Sequence, residues 1–141
     1  MQDLKSMVYL TRVEHFNAAH KLYNAKWSEE ENKAVFGKCC NPHFHGHNFD
    51  LFVTVKGEPD ADTGFVMNAH VLSKIMKQEI CDRFDHKNLN MDVEYFKDVQ
   101  PSSENFVKVI WQILEPLITD CELHCIKLME TPRIYVEYYG E

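Results

Sequence analysis

Glycine and proline are scarce in this chain, at five each in 141 residues. That composition excludes collagen-like and Pro/Gly-rich disordered architectures. No G-x-G-x-x-G run occurs, so no dinucleotide cofactor is expected. No stretch of 18 or more apolar residues occurs either, and nothing is expected to span a membrane as a helix. The N-terminus, M-Q-D-L-K-S-M, lacks the apolar segment of a secretory signal. Basic residues are outnumbered, 15 against 22 acidic, for a net charge of −7. A nucleic-acid-binding face is therefore not expected. Any phosphorylated ligand must be met by a local cluster of cations rather than by a global field. The cysteines number five, an odd count without a signal peptide, which points to reduced thiols in the cytoplasm.

The remaining composition is that of a globular protein, 45% hydrophobic and 12% aromatic. The length suits one domain, residues 1–141, with residues 1–6 a flexible leader. Alternation from Met7 to Phe16 and from Gly46 to Gly57 predicts two strands. S-E-E-E at Ser28 reads as a capping box opening a short helix, with Gly37 placed to end it. Val71, Leu72, Ile75, Met76, Ile80 and Phe84 form the stripe of a helix capped by Asn68. Phe106, Val107, Ile110, Trp111 and Leu114 form that of a second long helix, starting near Ser102 or Ser103 and weakened by Pro116. Leu123–Glu130 and Arg133–Tyr139 predict two more strands across a Thr131-Pro132 turn. This order predicts an α+β fold: a four-stranded antiparallel sheet with two helices on one face.

Histidine dominates the chemistry. His20 ends F-N-A-A-H, and His45 and His47 stand in P-H-F-H-G-H-N. His45 and His47 share strand parity with Phe49, Leu51, Val53 and Val55, so pairing extended that far turns both imidazoles inward. Inward histidines need hydrogen bonds or a metal ion. With His20 they make a three-ligand zinc set with an open fourth position, the catalytic pattern; Cys39 or Cys40 as a fourth ligand would make it structural. Cys39, beside Lys38 and the histidines, is a candidate thiolate base or nucleophile. Asp85-His86 couples a carboxylate to an imidazole, a general acid–base pair. Glu130 shares parity with Ile126 and Leu128 and is placed to bind ligand N–H groups. Ser102, Ser103 and Glu104 read, from spacing alone, as helix-capping residues. His15, His43, His70 and His124 have no identifiable partner.

Assembled, these stretches resemble the 6-pyruvoyl-tetrahydropterin synthase family, in its animal form. The resemblance runs from Val8 to Glu141 through F-N-A-A-H-K-L-Y, S-E-E-E-N-K-A-V-F-G-K-C, H-G-H-N, V-M-N, D-H-K-N-L-N, S-S-E-N and E-T-P…Y-G-E. It implies a tunnelling fold whose sheets close into a barrel on trimerisation, two trimers stacking into a homohexamer with active sites between subunits. It implies a lyase of tetrahydrobiopterin biosynthesis that removes triphosphate from 7,8-dihydroneopterin triphosphate with an internal redox rearrangement. It makes His20, His45 and His47 the ligands of one zinc ion per subunit and leaves room for magnesium with the triphosphate. Cys39 becomes the base, Asp85 and His86 the proton relay, Glu130 the pterin anchor and relay member, and Ser102, Ser103 and Glu104 part of the pterin pocket. Two departures stand out: Cys40 replaces a usual asparagine, and His43-Phe44 a usual asparagine-glycine. The rivals are 6-carboxy-tetrahydropterin synthase, on the same substrate type, and a non-catalytic zinc-binding module.

Overall fold

The computed structural model describes residues 6–141; most of the expected leader, residues 1–5, lies outside the described residues. Strand β1 (Val8–His20) pairs antiparallel with β2 (His45–Gly57) along its whole length, Val8 opposite Gly57 and His20 opposite His45. Strand β4 (Glu122–Thr131) pairs with β2, and β5 (Ile134–Tyr138) with β4, both antiparallel. A short strand β3 (Lys87–Asn88) adds to the other edge of β1, in parallel, giving the order β3-β1-β2-β4-β5. The sheet thus has five strands and is mixed, where four antiparallel strands were expected. The extra strand is two residues long, too short to carry any periodicity. It forms because the 85–88 turn docks on β1: the Asn17 N–H donates to Asp85 Oδ1 at 2.9 Å, and the His86 N–H to the Asn17 carbonyl at 2.7 Å.

The predicted parity is the observed one. Phe16, Ala18 and His20 of β1 and Phe49, Leu51, Val53 and Val55 of β2 all lie on the covered face. In β4 a bulge opposite Thr54/Val55 lets Leu123 and Ile126, of opposite parity, both turn inward. Two longer helical segments cover this face. Helix α2 (Ala69–Met76), capped by Asn68, runs through a π turn (Lys77–Cys81) into α3 (Asp82–Phe84). Leu72, Met76, Ile80 and Phe84, spaced by four, are almost fully buried. Helix α5 (Ser103–Leu114), capped by the Ser102 hydroxyl, buries Phe106, Ile110 and Leu114. The Phe106 ring packs within 5.0–5.7 Å, centroid to centroid, of Phe16, Phe49, Phe84 and Phe96, edge to face with all four. This aromatic cluster is the floor beneath the histidines, since Phe49 also meets His20 and His47.

Helix α1 (Glu29–Phe36) precedes β2, Ser28 accepting from the Glu31 N–H and Gly37, at φ +56°, ending it as predicted. A single 3₁₀ turn, Gly37–Cys40, and a short loop lead from it into β2. A short helix α4 (Leu89–Asp92) follows β3. The β4–β5 turn falls on Pro132-Arg133, one residue later than expected.

Candidate active site and metal centre

The register of β1 against β2 builds the centre. His20 and His45 are cross-strand partners, and His47 follows two residues on, on the same face. Their rings sit 4.6, 4.9 and 5.1 Å apart by centroid, edge to face. Glu130, at the end of β4, supplies a fourth group, and one ligand atom from each of the four lies within 4.8 Å of the others. Among the described residues this is the metal-capable group, and neither Cys39 nor Cys40 belongs to it.

The donor set fits a cation. His20 Nδ1 lies 2.7 Å from the Pro101 carbonyl, which can only accept, so Nδ1 carries the proton and Nε2 presents a lone pair. His20 Nε2, His45 Nδ1 and His47 Nε2 are buried without a hydrogen-bond partner. His47 Nε2 approaches Glu130 Oε1 to 2.7 Å and His20 Nε2 approaches the same oxygen to 3.5 Å, in neither case in hydrogen-bond geometry. Three unsatisfied imidazole nitrogens facing one carboxylate would be costly with nothing between them, and a divalent cation satisfies all four. His20, His45 and His47 could hold it, with Glu130 at hand.

Charge distribution follows from burial. Desolvation holds the His45 and His47 imidazoles below their ordinary value, helped by His20; Glu130 pulls the other way and loses. The neutral form is the one that binds metal. Glu130 is held below the usual carboxylate range by His20 first, then His47 and Ser103, against its own burial. The Ser103 hydroxyl, itself buried, donates to Glu130 Oε2 at 3.1 Å. Cys39, half-buried in the 3₁₀ turn, is pushed above an ordinary thiol by burial and then by the Glu130 charge. It is therefore a protonated thiol unless a cation sits close by.

Asp85 and His86 form the expected couple, His86 Nδ1 to Asp85 Oδ2 at 2.8 Å. The Asn17 N–H, then His86, hold the Asp85 carboxyl low. His86 adopts φ +60°, a conformation uncommon outside glycine, and its side chain is 76% exposed. His86 opens on a cavity of about 400 Å³ shared with Asn17, Gly46, His47 and Asn48, whereas Asp85, Cys39 and Glu130 do not line it. Within one chain, then, the structure gathers His20, His45, His47, Glu130 and Ser103, and His86 shares a cavity with His47. Ser102 caps α5 and Glu104 is exposed in its first turn. Cys40 Sγ donates to the Gly37 carbonyl at 3.1 Å, and His43 is exposed.

Sequence reasoning missed the residues that brace the centre. The segment after His20 has no strand partner and is clasped instead by side-chain amides. Asn90 accepts from the Lys21 N–H and donates to the Lys21 carbonyl, at 2.8 and 2.9 Å. Gln100 does the same to Tyr23 at 3.3 and 2.8 Å, and buried Asn32 to Asn24 at 2.8 and 2.9 Å. Between them the Leu22 N–H donates to the Cys39 carbonyl at 2.8 Å, joining the histidine strand to the cysteine turn. Loop amides carry no periodicity, and no sequence signal announces them.

The chain is similar to known proteins over nearly its whole length. The profile described as "6-pyruvoyl tetrahydropterin synthase" matches residues 9–141. The 6-pyruvoyl tetrahydrobiopterin synthase of Pongo abelii is 48% identical over 126 residues, covering 89% of this chain and 87% of that protein. That of Homo sapiens is 47% identical over the same length and the same shares of each chain. The solved structure of Caenorhabditis elegans 6-pyruvoyl tetrahydropterin synthase superposes with a TM-score of 0.91 at 36% identity, covering 99% of this chain and 100% of that one. With the profile spanning nearly the whole chain and relatives approaching half identity, the protein belongs to the 6-pyruvoyl tetrahydropterin synthase family, a family of enzymes.

Proposed function

We infer that this chain is a zinc-dependent lyase that eliminates triphosphate from 7,8-dihydroneopterin triphosphate and rearranges the side chain, by internal redox, to 6-pyruvoyl-tetrahydropterin. The observation that carries the reading is the convergence of three buried, hydrogen-bond-orphaned imidazole nitrogens beside Glu130, in a chain of this family. His20, His45 and His47 are the proposed zinc ligands; when bound, zinc supplies Lewis acidity toward the hydroxyl-bearing side chain of the substrate. The Pro101 carbonyl fixes the His20 tautomer and ring plane, as partners of metal-bound histidines commonly do.

Glu130 anchors the pterin. Its carboxylate is held below the usual range and aimed by Ser103, so it accepts from the N–H groups of the pterin ring. Ser102 and Glu104 belong to the same proposed pterin-lining segment. Cys39 Sγ takes the side-chain carbon's proton as base. Asp85 orients His86, which returns and relays protons. No external oxidant or nicotinamide is required, because the redox change is internal to the substrate.

The proposed assembly is a homohexamer of two trimers with sites between subunits. Two features support it. The sheet is open at β3 and β5, and unpaired edges favour closure. The cavity that His86 lines also includes neither Cys39 nor Glu130, as expected if one subunit's relay serves another's base. No helix among the described residues is long and apolar enough to cross a membrane. A cytoplasmic location and a magnesium ion with the triphosphate complete the proposal.

The test is product analysis with 7,8-dihydroneopterin triphosphate. Release of triphosphate with 6-pyruvoyl-tetrahydropterin is expected. A carboxylated pterin with acetaldehyde would assign the 6-carboxy reaction, and no turnover by zinc-loaded protein would leave a binding module.

A further inference from the structure

We propose that the cavity beside the cysteine turn is the subsite for the triphosphate, with Lys21 its principal cation and Phe44 the residue that positions it. This rests on the pterin triphosphate reading above. The cavity, about 300 Å³, is lined by Lys21, Tyr23, Lys33, Cys40 and Asn41. Its place in the chain ties it to the chemistry: Lys21 follows the proposed ligand His20, Leu22 is hydrogen-bonded to Cys39, and Cys40 follows the proposed base.

Lys21 is held unlike the chain's other candidate cations in this region. Asn90 takes both its backbone N–H and its carbonyl, and the side chain is half-buried, whereas Lys33 and Lys38 are exposed. Its ammonium lies over two ring faces, 5.2 Å from the Tyr23 centroid and 5.3 Å from that of Phe44. The ion pairs formed by lysine or arginine among the described residues involve Arg12, Arg83 and Lys97, not Lys21 or Lys33. Ring faces attract a cation without accepting its N–H bonds. The ammonium is thus fixed in place with its three donors free for phosphate oxygens. In a chain of net charge −7, a polyanion needs such a local cation. One carboxylate, Glu29, also lines the cavity; the Tyr23 hydroxyl lies 3.5 Å from its Oε1.

Phe44 adds an independent observation. It holds φ +67°, a region that a bulky residue rarely enters and glycine enters freely. An aromatic kept in a conformation suited to glycine calls for a reason, and the contact of its ring with Lys21 supplies one.

The test titrates inorganic tripolyphosphate into the full-length protein by calorimetry. It is run on zinc-loaded and on metal-stripped samples, because tripolyphosphate also ligates divalent cations. Lys21→Gln is expected to weaken binding about tenfold or more in both samples, on the scale of lost charge-assisted hydrogen bonds. Phe44→Gly should weaken it severalfold without lowering the melting temperature, since glycine relieves the backbone. Zinc stoichiometry and the affinity for neopterin, which has no phosphate, should be unchanged in both variants. Wild-type tripolyphosphate affinity in Lys21→Gln, or in Phe44→Gly, overturns the proposal. Wild-type protein that binds neopterin but not tripolyphosphate overturns the subsite and leaves the pterin reading standing. Failure to bind neopterin or zinc overturns that reading instead.

Discussion

Glu130 turns one oxygen to the histidines and the other to Ser103, so two roles can be proposed for it, and Glu130→Gln separates them. Its Oε1 lies close enough to His47 and His20 to serve as a fourth metal ligand, while Oε2 is held by Ser103. The proposed mechanism assigns the carboxylate to the pterin and leaves zinc to the three histidines. Glutamine keeps the shape and can still accept from Ser103, but it loses the charge. Hydrogen bonds to a charged group contribute about 1.5–3 kcal/mol, so pterin affinity should fall roughly 10- to 150-fold. Zinc should remain stoichiometric at pH 7.5, with an affinity loss clearly smaller than that of His47→Gln, which removes a ligand outright. A third consequence follows from the Cys39 thiol, which the Glu130 charge helps to push up. In metal-free Glu130→Gln protein, Cys39 should react faster with iodoacetamide at fixed pH, its thiolate being less disfavoured. The assays are neopterin titration, chelator competition for zinc, and alkylation rate against pH. If Glu130→Gln loses zinc as completely as His47→Gln while keeping its pterin affinity, Glu130 is a ligand, the site is four-coordinate and closed, and the assignment fails.

Three further outcomes are expected. Cys39→Ala should leave a folded, zinc-loaded oligomer with turnover reduced about 10²–10⁴-fold; loss of zinc, measured by elemental analysis, would make the thiol a structural ligand. His86→Ala should likewise keep its zinc and lose turnover, because its imidazole pairs with Asp85 rather than with the metal group. Metal-free protein should lose stability as pH falls below the ordinary imidazole value of about 6.5. His45 and His47 are depressed in the folded state, so the unfolded chain binds more protons there and the loss levels off below the folded values. Urea titrations of His47→Gln between pH 7.5 and 5 should show a shallower loss than wild type.

Much of the site was legible because it is written in periodicity. His45 and His47 continue the inward parity of Phe49 to Val55, and β2 carries that parity to its first residue, so two imidazoles reach one face as alternation requires. The stripes of α2 and α5 named most of their buried residues, since a 3.6-residue repeat has one apolar side wherever it packs; Val71, placed in the first stripe, is instead exposed, and Ser73 is buried. The helix-starting residues Ser28, Asn68 and Ser102 accept backbone N–H bonds as their residue types suggest. The two-residue β3 was invisible, and so was the π turn within the α2 segment, for neither leaves a repeat to detect.

The sequence by itself determined which groups could do chemistry here: three histidines, two adjacent thiols, an Asp-His couple and a strand-end glutamate, on an α+β chain too acidic to offer a basic face. It could not determine how they combine, because partnership depends on register and on contacts between residues far apart in the chain. Pairing His20 with His45 across 25 positions, and bringing Glu130 to them from β4, decided that the carboxylate rather than a cysteine stands fourth in the group. Folding also decided that Pro101 fixes His20, that Asn32, Asn90 and Gln100 brace the strap behind it, and that Lys21 lies between two rings. Those contacts rest on loop conformations and single side-chain orientations. Only closure of the whole fold selects them, so nothing local in the sequence encodes them.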